Sequence, residues 1–155
     1  MKTPPTHDPL RVFIVDDEPS LRDLFTVALM DDSREIVSCD NGFTALRMLQ
    51  ESIFDVILLD LSLPDTNGIH ILREMRRRGD MTQVILCSAH MDEKSFQGAL
   101  ELGVTAFVSK PVTLLRLRRI VSDVLSGKVE RCGSAAEFAD ELGFITARPL
   151  RLKKS

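Results

Sequence analysis

The sequence contains no tryptophan and no tyrosine, so phenylalanine supplies all of its large aromatic side chains. Proteins that bind single-stranded nucleic acid stack the bases on aromatic side chains inside a basic groove. The net charge of −3 also gives no general electrostatic footprint for nucleic acid. We therefore expect no direct binding of nucleic acid.

Long apolar segments are absent as well. No stretch of the sequence approaches the roughly 20 apolar residues that a transmembrane helix needs. Residues 1–9 contain proline and lack the apolar centre of a signal peptide, and we predict that they form a flexible N-terminal segment. These observations favour a protein without membrane association and with a cytoplasmic location.

Cysteine is scarce. Cys39, Cys87 and Cys132 are odd in number and show no metal-ligand spacing, which favours a reducing compartment over a disulfide framework. Cys39 and Cys87 lie in strand-like runs, where we expect each to act as a small buried hydrophobic residue.

Four short apolar runs stand out in the sequence, and each leads into polar residues. The runs and the polar residues after them are Val12–Val15 with Asp16 and Asp17, Val56–Leu59 with Asp60, Val84–Cys87 with Ser88, and Ala106–Ser109 with Lys110. Such continuous runs are typical of strands buried on both faces of a parallel sheet. Ligands bind at the carboxyl ends of these strands, so the polar side chains should gather at one edge. That group of side chains suits a phosphoryl group held with a divalent metal ion.

Helical patterns separate the strands. Glu35–Cys39 is a further strand candidate, and apolar residues at helical spacing predict a helix after every strand, the fourth at about Asp92–Leu102. Each helix is long enough to be a right-handed crossover between parallel strands. The sequence thus predicts an α/β fold of the (βα)5 type, a doubly wound five-stranded parallel sheet that forms one domain over residues 10–127.

The pattern changes after Gly127. Ser134 and Glu137 form a candidate capping box, and apolar residues on one face predict a short helix over residues 134–142. The charged residues that follow are all basic. Residues 128–155 are therefore interpreted as a C-terminal extension with a short helix and a basic tail.

The polar residues at the predicted sheet edge indicate a particular chemistry. Asp16, Asp17 and Asp60 would repel one another unless a cation neutralised them, and oxygen ligands without cysteine or histidine favour Mg²⁺. Asp60 alone closes its strand, which makes it best placed to act as a nucleophile and form an aspartyl phosphate. Lys110 could pair with Asp60 at rest and with a phosphoryl oxygen afterwards, and Ser88 could donate to that oxygen. Singly, such residues are more often helix caps or solvated charges; together they indicate a phosphoryl site.

In the order and spacing of these motifs, the chain resembles the response-regulator receiver domain, the CheY-like phosphoacceptor module. The matching motifs are Asp16-Asp17, Leu58-Leu59-Asp60, Pro64, Gly68, Ser88-Ala89, Gly103-Val104, Phe107 and Lys110-Pro111. The resemblance implies a flavodoxin-like strand order of 2-1-3-4-5. It also implies that Asp60 accepts a phosphoryl group from a histidine kinase or a phosphotransfer protein.

The resemblance further implies a set of metal ligands. Asp17 and Asp60 would bind Mg²⁺ directly, Asp16 through water, and Ser62 through its backbone carbonyl. The Lys110–Pro111 peptide bond would be cis, an isomer that is accessible before proline.

Signal transmission is also implied by the resemblance. Ser88 would move toward the phosphoryl group and the aromatic ring at Phe107 would turn inward, changing the face made by the fourth helix, fifth strand and fifth helix. A downstream protein would bind that face, or a second copy in a phosphorylation-dependent homodimer. Phe107 replaces the commoner tyrosine, which favours the inward position in both states. Ser62 and His90 occupy positions that tune dephosphorylation in that family.

Three function classes remain open. The first is a single-domain receiver, a phosphorylation-gated interaction module that is no enzyme beyond its own phosphorylation and dephosphorylation. The second is the receiver part of a truncated DNA-binding transcriptional regulator, since the segment after Gly127 is too short for a helix-turn-helix domain. The third is a phosphatase of the haloacid-dehalogenase type, which carries Asp-x-Asp after its first strand where this chain has adjacent Asp16 and Asp17.

A basic stretch on the predicted third helix has two interpretations. Arg73, Arg76, Arg77 and Arg78 are more simply explained as a solvated helix face than as a docking patch for an acidic partner. We therefore predict that all four are solvated.

Overall fold

The fold is a five-stranded parallel sheet with a helix after every strand, seen in a computed structural model that describes residues 8–128. The elements in chain order are β1 Leu10–Val15, α1 Pro19–Leu29, β2 Arg34–Cys39, α2 Gly42–Glu51, β3 Val56–Asp60, α3 Gly68–Arg77, β4 Gln83–Ser88, α4 Glu93–Glu101, β5 Ala106–Ser109 and α5 Leu114–Leu125. The strands pair in the order β2-β1-β3-β4-β5. The predicted (βα)5 fold and the strand order implied by the resemblance are confirmed.

Part of the sequence analysis concerns residues outside this range. The N-terminal segment up to residue 7, Cys132 and the candidate helix 134–142 lie outside the described residues. Within residues 8–128, no helix combines the length and the apolar character that crossing a membrane requires.

The sheet is apolar on both faces because each face is covered by helices. In β1, Phe13 and Val15 belong to one core cluster, whereas Val12 and Ile14 belong to the other. Burying a side chain of this size fully contributes about 1.5–3 kcal/mol relative to leaving it exposed. This two-sided burial explains why the strand runs are continuously apolar instead of alternating.

Side-chain caps fix where four of the helices begin. Asn41, Asn67, Asp92 and Thr113 each accept a hydrogen bond from the backbone N–H three residues further on, at 2.7–3.2 Å. Each cap satisfies one of the N–H groups that a helix start leaves unpaired. Because Asp92 is the N-terminal cap and Leu102 the C-terminal cap, α4 is Glu93–Glu101 and is one residue shorter at each end than the sequence pattern predicted.

The prediction of a solvated face is wrong for one arginine of α3. Arg77 is exposed, but the guanidinium of Arg76 is partly buried and donates to four backbone carbonyls. Nε donates to Leu102 at 2.7 Å, Nη1 donates to Asp80 at 2.8 Å and to Thr82 at 3.1 Å, and Nη2 donates to Gly103 at 3.4 Å. The guanidinium presents its donors in a fixed planar fork, so a single side chain ties the end of α4 to the loop before β4.

The two cysteines in the sheet are buried, as predicted. Burial raises the pKa of Cys39 to about 11 and the pKa of Cys87 to about 12, because a thiolate is poorly solvated in the core. Both thiols therefore stay protonated at neutral pH and act as small hydrophobic residues.

Candidate functional site

The carboxyl ends of β1 and β3 bring the three predicted carboxylates together. Asp16 and Asp17 directly follow β1, and Asp60 is the last residue of the neighbouring strand β3. One oxygen from each carboxylate lies within 4.8 Å of the other two. Asp16 and Asp60 are only 2% and 6% exposed, whereas Asp17 is exposed. This group of oxygens can hold a metal ion, with Asp17 on the side open to solvent.

Lys110 supplies the positive charge at this group. It follows β5, and its Nζ donates to Asp16 Oδ2 at 2.7 Å and to Asp60 Oδ2 at 3.1 Å. Burial lowers the pKa of Lys110, but the hydrogen bonds and charges of the two carboxylates outweigh burial, and the net pKa is raised. The ammonium therefore stays charged at physiological pH. The pairing with Asp60 was predicted, whereas the shorter contact with Asp16 was not; the Lys110–Pro111 peptide bond is cis, as predicted.

One ammonium is shared between two buried carboxylates, so the negative charge of Asp60 is only partly neutralised. Burial raises the pKa of Asp60, and the negative charge of Asp16 raises it further, whereas Lys110 and the N–H of Ser62 lower it. The net pKa of Asp60 lies above its ordinary value, because burial together with the charge of Asp16 outweighs the ammonium and the N–H of Ser62. The three carboxylates together with the one ammonium therefore carry a net negative charge, and a bound cation would offset it.

The loop between β3 and α3 is folded tightly against Asp60. The N–H of Ser62 donates to Asp60 Oδ1 at 3.1 Å, and Ser62 forms an antiparallel bridge with Asn67. The N–H of Gly68 donates to the carbonyl of Leu61 at 2.7 Å. A Cβ at Gly68 would lie 2.6 Å from the backbone oxygen of Asp60, so a side chain cannot be accommodated there. Glycine at this position therefore allows α3 to start directly beside the predicted phosphoacceptor.

The hydroxyl of Ser88 is engaged by the start of the loop that leads to α4. Ser88 is the last residue of β4 and is 6% exposed. Its Oγ donates to the carbonyl of His90 and accepts from the N–H of His90 at 3.1 Å. In this structure, Ser88 therefore restrains the entry to α4 instead of binding the carboxylates.

Phe107 connects β5 to α4. Its ring is fully buried and stacks on Phe96 of α4, with the ring centroids 4.8 Å apart and an interplanar angle of 26°. The inward position predicted for Phe107 is the one observed.

Two residues at the site were missed by the sequence analysis. Arg22 Nη1 donates to the carbonyl of Asp16 at 2.7 Å, and its position on the first helix after the acidic pair could have suggested this contact. Asp65 accepts from two backbone N–H groups at the start of α2, both at 2.8 Å. These partners precede Asp65 by 22 and 23 residues, and no sequence pattern connects them.

Comparison with known proteins identifies the family. The family model of the response regulator receiver domain matches residues 12–122, a range that includes all the strand-end residues described above. The chain belongs to the response regulator receiver domain family. Phosphorylation on aspartate with Mg²⁺ is a general feature of this family.

Curated relatives support the same assignment. This chain is 36% identical over 115 residues to the regulatory protein AtoC of Escherichia coli, and the match covers 74% of this chain and 25% of AtoC. This chain is 33% identical over 108 residues to the transcriptional regulatory protein KdpE of Staphylococcus aureus, and the match covers 70% of this chain and 46% of KdpE. This chain is 31% identical over 150 residues to a protein-glutamate methylesterase/protein-glutamine glutaminase of Koribacter versatilis, and the match covers 92% of this chain and 40% of that protein.

Solved structures agree on the fold. The CheY-like response regulator receiver domain protein of Methanospirillum hungatei has a TM-score of 0.73 at 22% identity, covering 77% of this chain and 95% of that chain.

The curated relatives are longer: this chain spans less than half the length of each of the three. The part that each of these relatives shares with this chain is therefore less than half of its own length.

Proposed function

We propose that this receiver accepts a phosphoryl group on Asp60 from a phosphohistidine of a histidine kinase or phosphotransfer protein. The position of Asp60 carries the proposal, because its carboxylate closes the central strand of the sheet beside the ammonium of Lys110. In the transfer, the phosphorus–nitrogen bond of the donor breaks and a bond forms between phosphorus and an oxygen of Asp60. Water later hydrolyses this acyl phosphate, which restores Asp60 and releases inorganic phosphate.

Three side chains divide the work in this proposal. Asp60 is the nucleophile, and Lys110 remains next to it to bind a phosphoryl oxygen once the group has been transferred. Ser88 leaves the backbone of His90 and donates to another phosphoryl oxygen. Phosphoryl transfer needs mainly positioning and charge stabilisation from the protein, so these few groups are sufficient.

Mg²⁺ is the metal ion that we propose for the carboxylates. Asp17 and Asp60 would hold it directly, Asp16 through water, and Ser62 through its backbone carbonyl. The oxygen ligands and the deficit of positive charge fit a hard divalent cation. When bound, the ion supplies positive charge that allows an anionic donor to approach the acidic group. Asp17 is exposed and accessible, whereas an oxygen of Asp16 is already engaged by Lys110, which supports the different roles of the two residues.

Substitution of the acidic pair should separate these roles. Asp16→Asn should weaken Mg²⁺ binding by about tenfold, the lower end of the effect of losing an outer-shell partner, and Asp17→Asn should weaken it more, because a direct ligand is lost. Isothermal titration calorimetry with Mg²⁺ measures both affinities, and urea denaturation shows that both variants are folded. Equal losses, or a larger loss for Asp16→Asn, would contradict the assignment.

We further propose that phosphorylation changes the face made by α4, β5 and α5. A downstream protein would bind this face, or a second copy in a phosphorylation-dependent homodimer. Ser88 holds the entry to α4 through His90, and Phe107 stacks on α4. Of its own residues, α4 fully buries only Ala99, with Phe96 and Leu100 partly buried against the core, whereas α3 buries five residues, so α4 is the less firmly packed of the two helices.

Replacing Ser88 should uncouple the site from this face. Ser88→Ala should leave phosphorylation of Asp60 largely intact, because Ser88 is neither the nucleophile nor a metal ligand. It should reduce the phosphorylation-dependent changes in NMR shifts over residues 92–115, because the hydroxyl makes the contact that differs between the two states. Beryllium fluoride serves as the phosphoryl mimic. Identical responses in the wild type and the variant would leave the proposed coupling without support.

A second candidate function is the receiver part of a longer DNA-binding transcriptional regulator. It is favoured by the coverage of 46% of the transcriptional regulatory protein KdpE. Within the present sequence we propose a receiver over residues 10–127 and an extension over residues 128–155. The complete reading frame of the host gene distinguishes the two architectures.

We also propose a cytoplasmic location and no catalytic action on other substrates. Cys39 and Cys87 are buried free thiols, in keeping with a reducing compartment, and the proposed site would phosphorylate only its own Asp60. Turnover of small phosphate esters such as p-nitrophenyl phosphate would contradict the proposed absence of catalysis on other substrates and would favour the phosphatase alternative.

A further inference from the structure

The tip of the loop between β3 and α3 is bound to a neighbouring helix by a single side chain. Asp65 Oδ1 accepts from the N–H of Gly42 and Oδ2 accepts from the N–H of Phe43, each at 2.8 Å. These are the first two N–H groups of α2, which have no partner inside the helix. Both oxygens of one carboxylate are therefore used to join two separate segments.

The geometry around this contact shows that the loop tip and α2 are in close approach. A Cβ placed on Gly42 would meet the Cγ2 methyl of Thr66 and would lie 3.3 Å from Asp65 Oδ1. The two N–H groups lower the pKa of Asp65 below its ordinary value, so the side chain is a carboxylate at neutral pH. A negative charge at a helix start is also favourable to the helix dipole.

The same loop carries the proposed metal ligand. Asp65 lies three residues after Ser62, and the loop is closed upon itself by the bridge between Ser62 and Asn67 and by a hydrogen bond from the N–H of Leu63 to the carbonyl of Thr66 at 3.1 Å. These bonds set the shape of the loop but do not attach its tip to another element. Leu63 packs against the core, and Asp65 makes the hydrogen-bonded attachment to α2.

We infer that Asp65 is a positioning residue for the phosphoacceptor site: by binding the start of α2, it holds the β3–α3 loop so that the Ser62 carbonyl is presented beside Asp60. This inference rests on the proposed function, in which Ser62 binds Mg²⁺ through its backbone. Where Asp65 holds the loop in place, its ordering does not have to be supplied by metal binding.

A matched pair of substitutions separates this role from simple helix capping. Asn41 is the cap of the same helix: its side-chain oxygen accepts from the N–H of Thr44 at 2.8 Å and its side-chain nitrogen donates to Asp40 at 2.6 Å, and neither bond involves the loop tip. Asp65→Ala and Asn41→Ala each remove one capping side chain from the start of α2. Only Asp65→Ala releases the β3–α3 loop.

The experiment measures Mg²⁺ affinity by calorimetry and, without Mg²⁺, amide hydrogen exchange at Leu63 and Gly68. Asp65→Ala should weaken Mg²⁺ binding about fivefold, the factor that corresponds to one lost capping interaction, and should accelerate exchange at both amides. Asn41→Ala should change neither quantity by more than the experimental error. Asp65→Asn, which keeps one acceptor oxygen, should fall between the wild type and Asp65→Ala.

Two results would overturn the inference: equal effects of Asp65→Ala and Asn41→Ala on Mg²⁺ affinity, or unchanged affinity and exchange in Asp65→Ala. Failure of the proposed function would look different. In that case the wild type itself would bind no Mg²⁺ or would not be labelled at Asp60 by acetyl phosphate.

Discussion

Replacing Asp60 by asparagine should abolish phosphorylation of the domain by acetyl phosphate and Mg²⁺. Asp60 closes β3, and its Oδ2 lies 3.1 Å from the ammonium of Lys110, which is positioned to stabilise a transferred phosphoryl group. The neighbouring Asp16 is nearly fully buried and is held by the same ammonium at 2.7 Å. Intact mass spectrometry should therefore show one added phosphoryl group on the wild type and none on Asp60→Asn.

Two controls make this result specific. Asp17→Asn keeps the acceptor, so at saturating Mg²⁺ it should still be labelled, although it needs more of the ion. Asp60→Asn should remain folded: the raised pKa means that ionised Asp60 destabilises the fold at pH values above its folded-state pKa. At pH 7 the variant should thus resist urea at least as well as the wild type. Unchanged labelling of Asp60→Asn would refute the assignment of the acceptor.

Replacing Phe107 by alanine should be the most destabilising single change near the site. The ring is 0% exposed and stacks on Phe96, so its removal leaves a cavity between β5 and α4. Changes of this kind cost about 3–5 kcal/mol, a large part of the roughly 5–15 kcal/mol that stabilises a typical domain. Urea denaturation followed by far-UV circular dichroism measures the loss as a lower transition midpoint at an unchanged slope.

Phe43 provides the matched control for this experiment. Its ring is 73% exposed on the first turn of α2, so Phe43→Ala makes the same chemical change without opening a cavity. The free energy of unfolding should then change by no more than about 0.5 kcal/mol. Similar losses for the two variants would show that burial of the Phe107 ring is not what stabilises the region.

Much of the fold could be predicted because its signals are local. A strand covered on both faces must be apolar at every position, and this requirement made β1, β3, β4 and β5 readable as short apolar runs. Helix boundaries were less certain, since they depend on which side chain caps the first turn. Asp92 is the example: its hydrogen bond to the N–H of Ser95 at 2.7 Å makes it the cap of α4 and not its first residue.

Part of the site was predictable for a related reason. Parallel strands end at the same edge of a sheet, so a residue that follows a strand is placed at that edge by the topology alone. This rule was sufficient to bring Asp16, Asp17 and Asp60 together with Lys110 and to place Ser88 at the end of the adjacent strand β4. Their roles remain proposals, and the experiments above test them.

The order of the strands and helices and the residues at the strand ends follow from the sequence, because hydrophobic pattern and chain order are local properties. The partners of those residues follow from the three-dimensional packing. Lys110 divides its charge between two acids, Arg76 binds carbonyls from two loops, and Asp65 reaches back to α2. Each of these contacts depends on the path of a loop and on angstrom-scale distances between segments far apart in the chain, and hydrophobic periodicity contains no information about either.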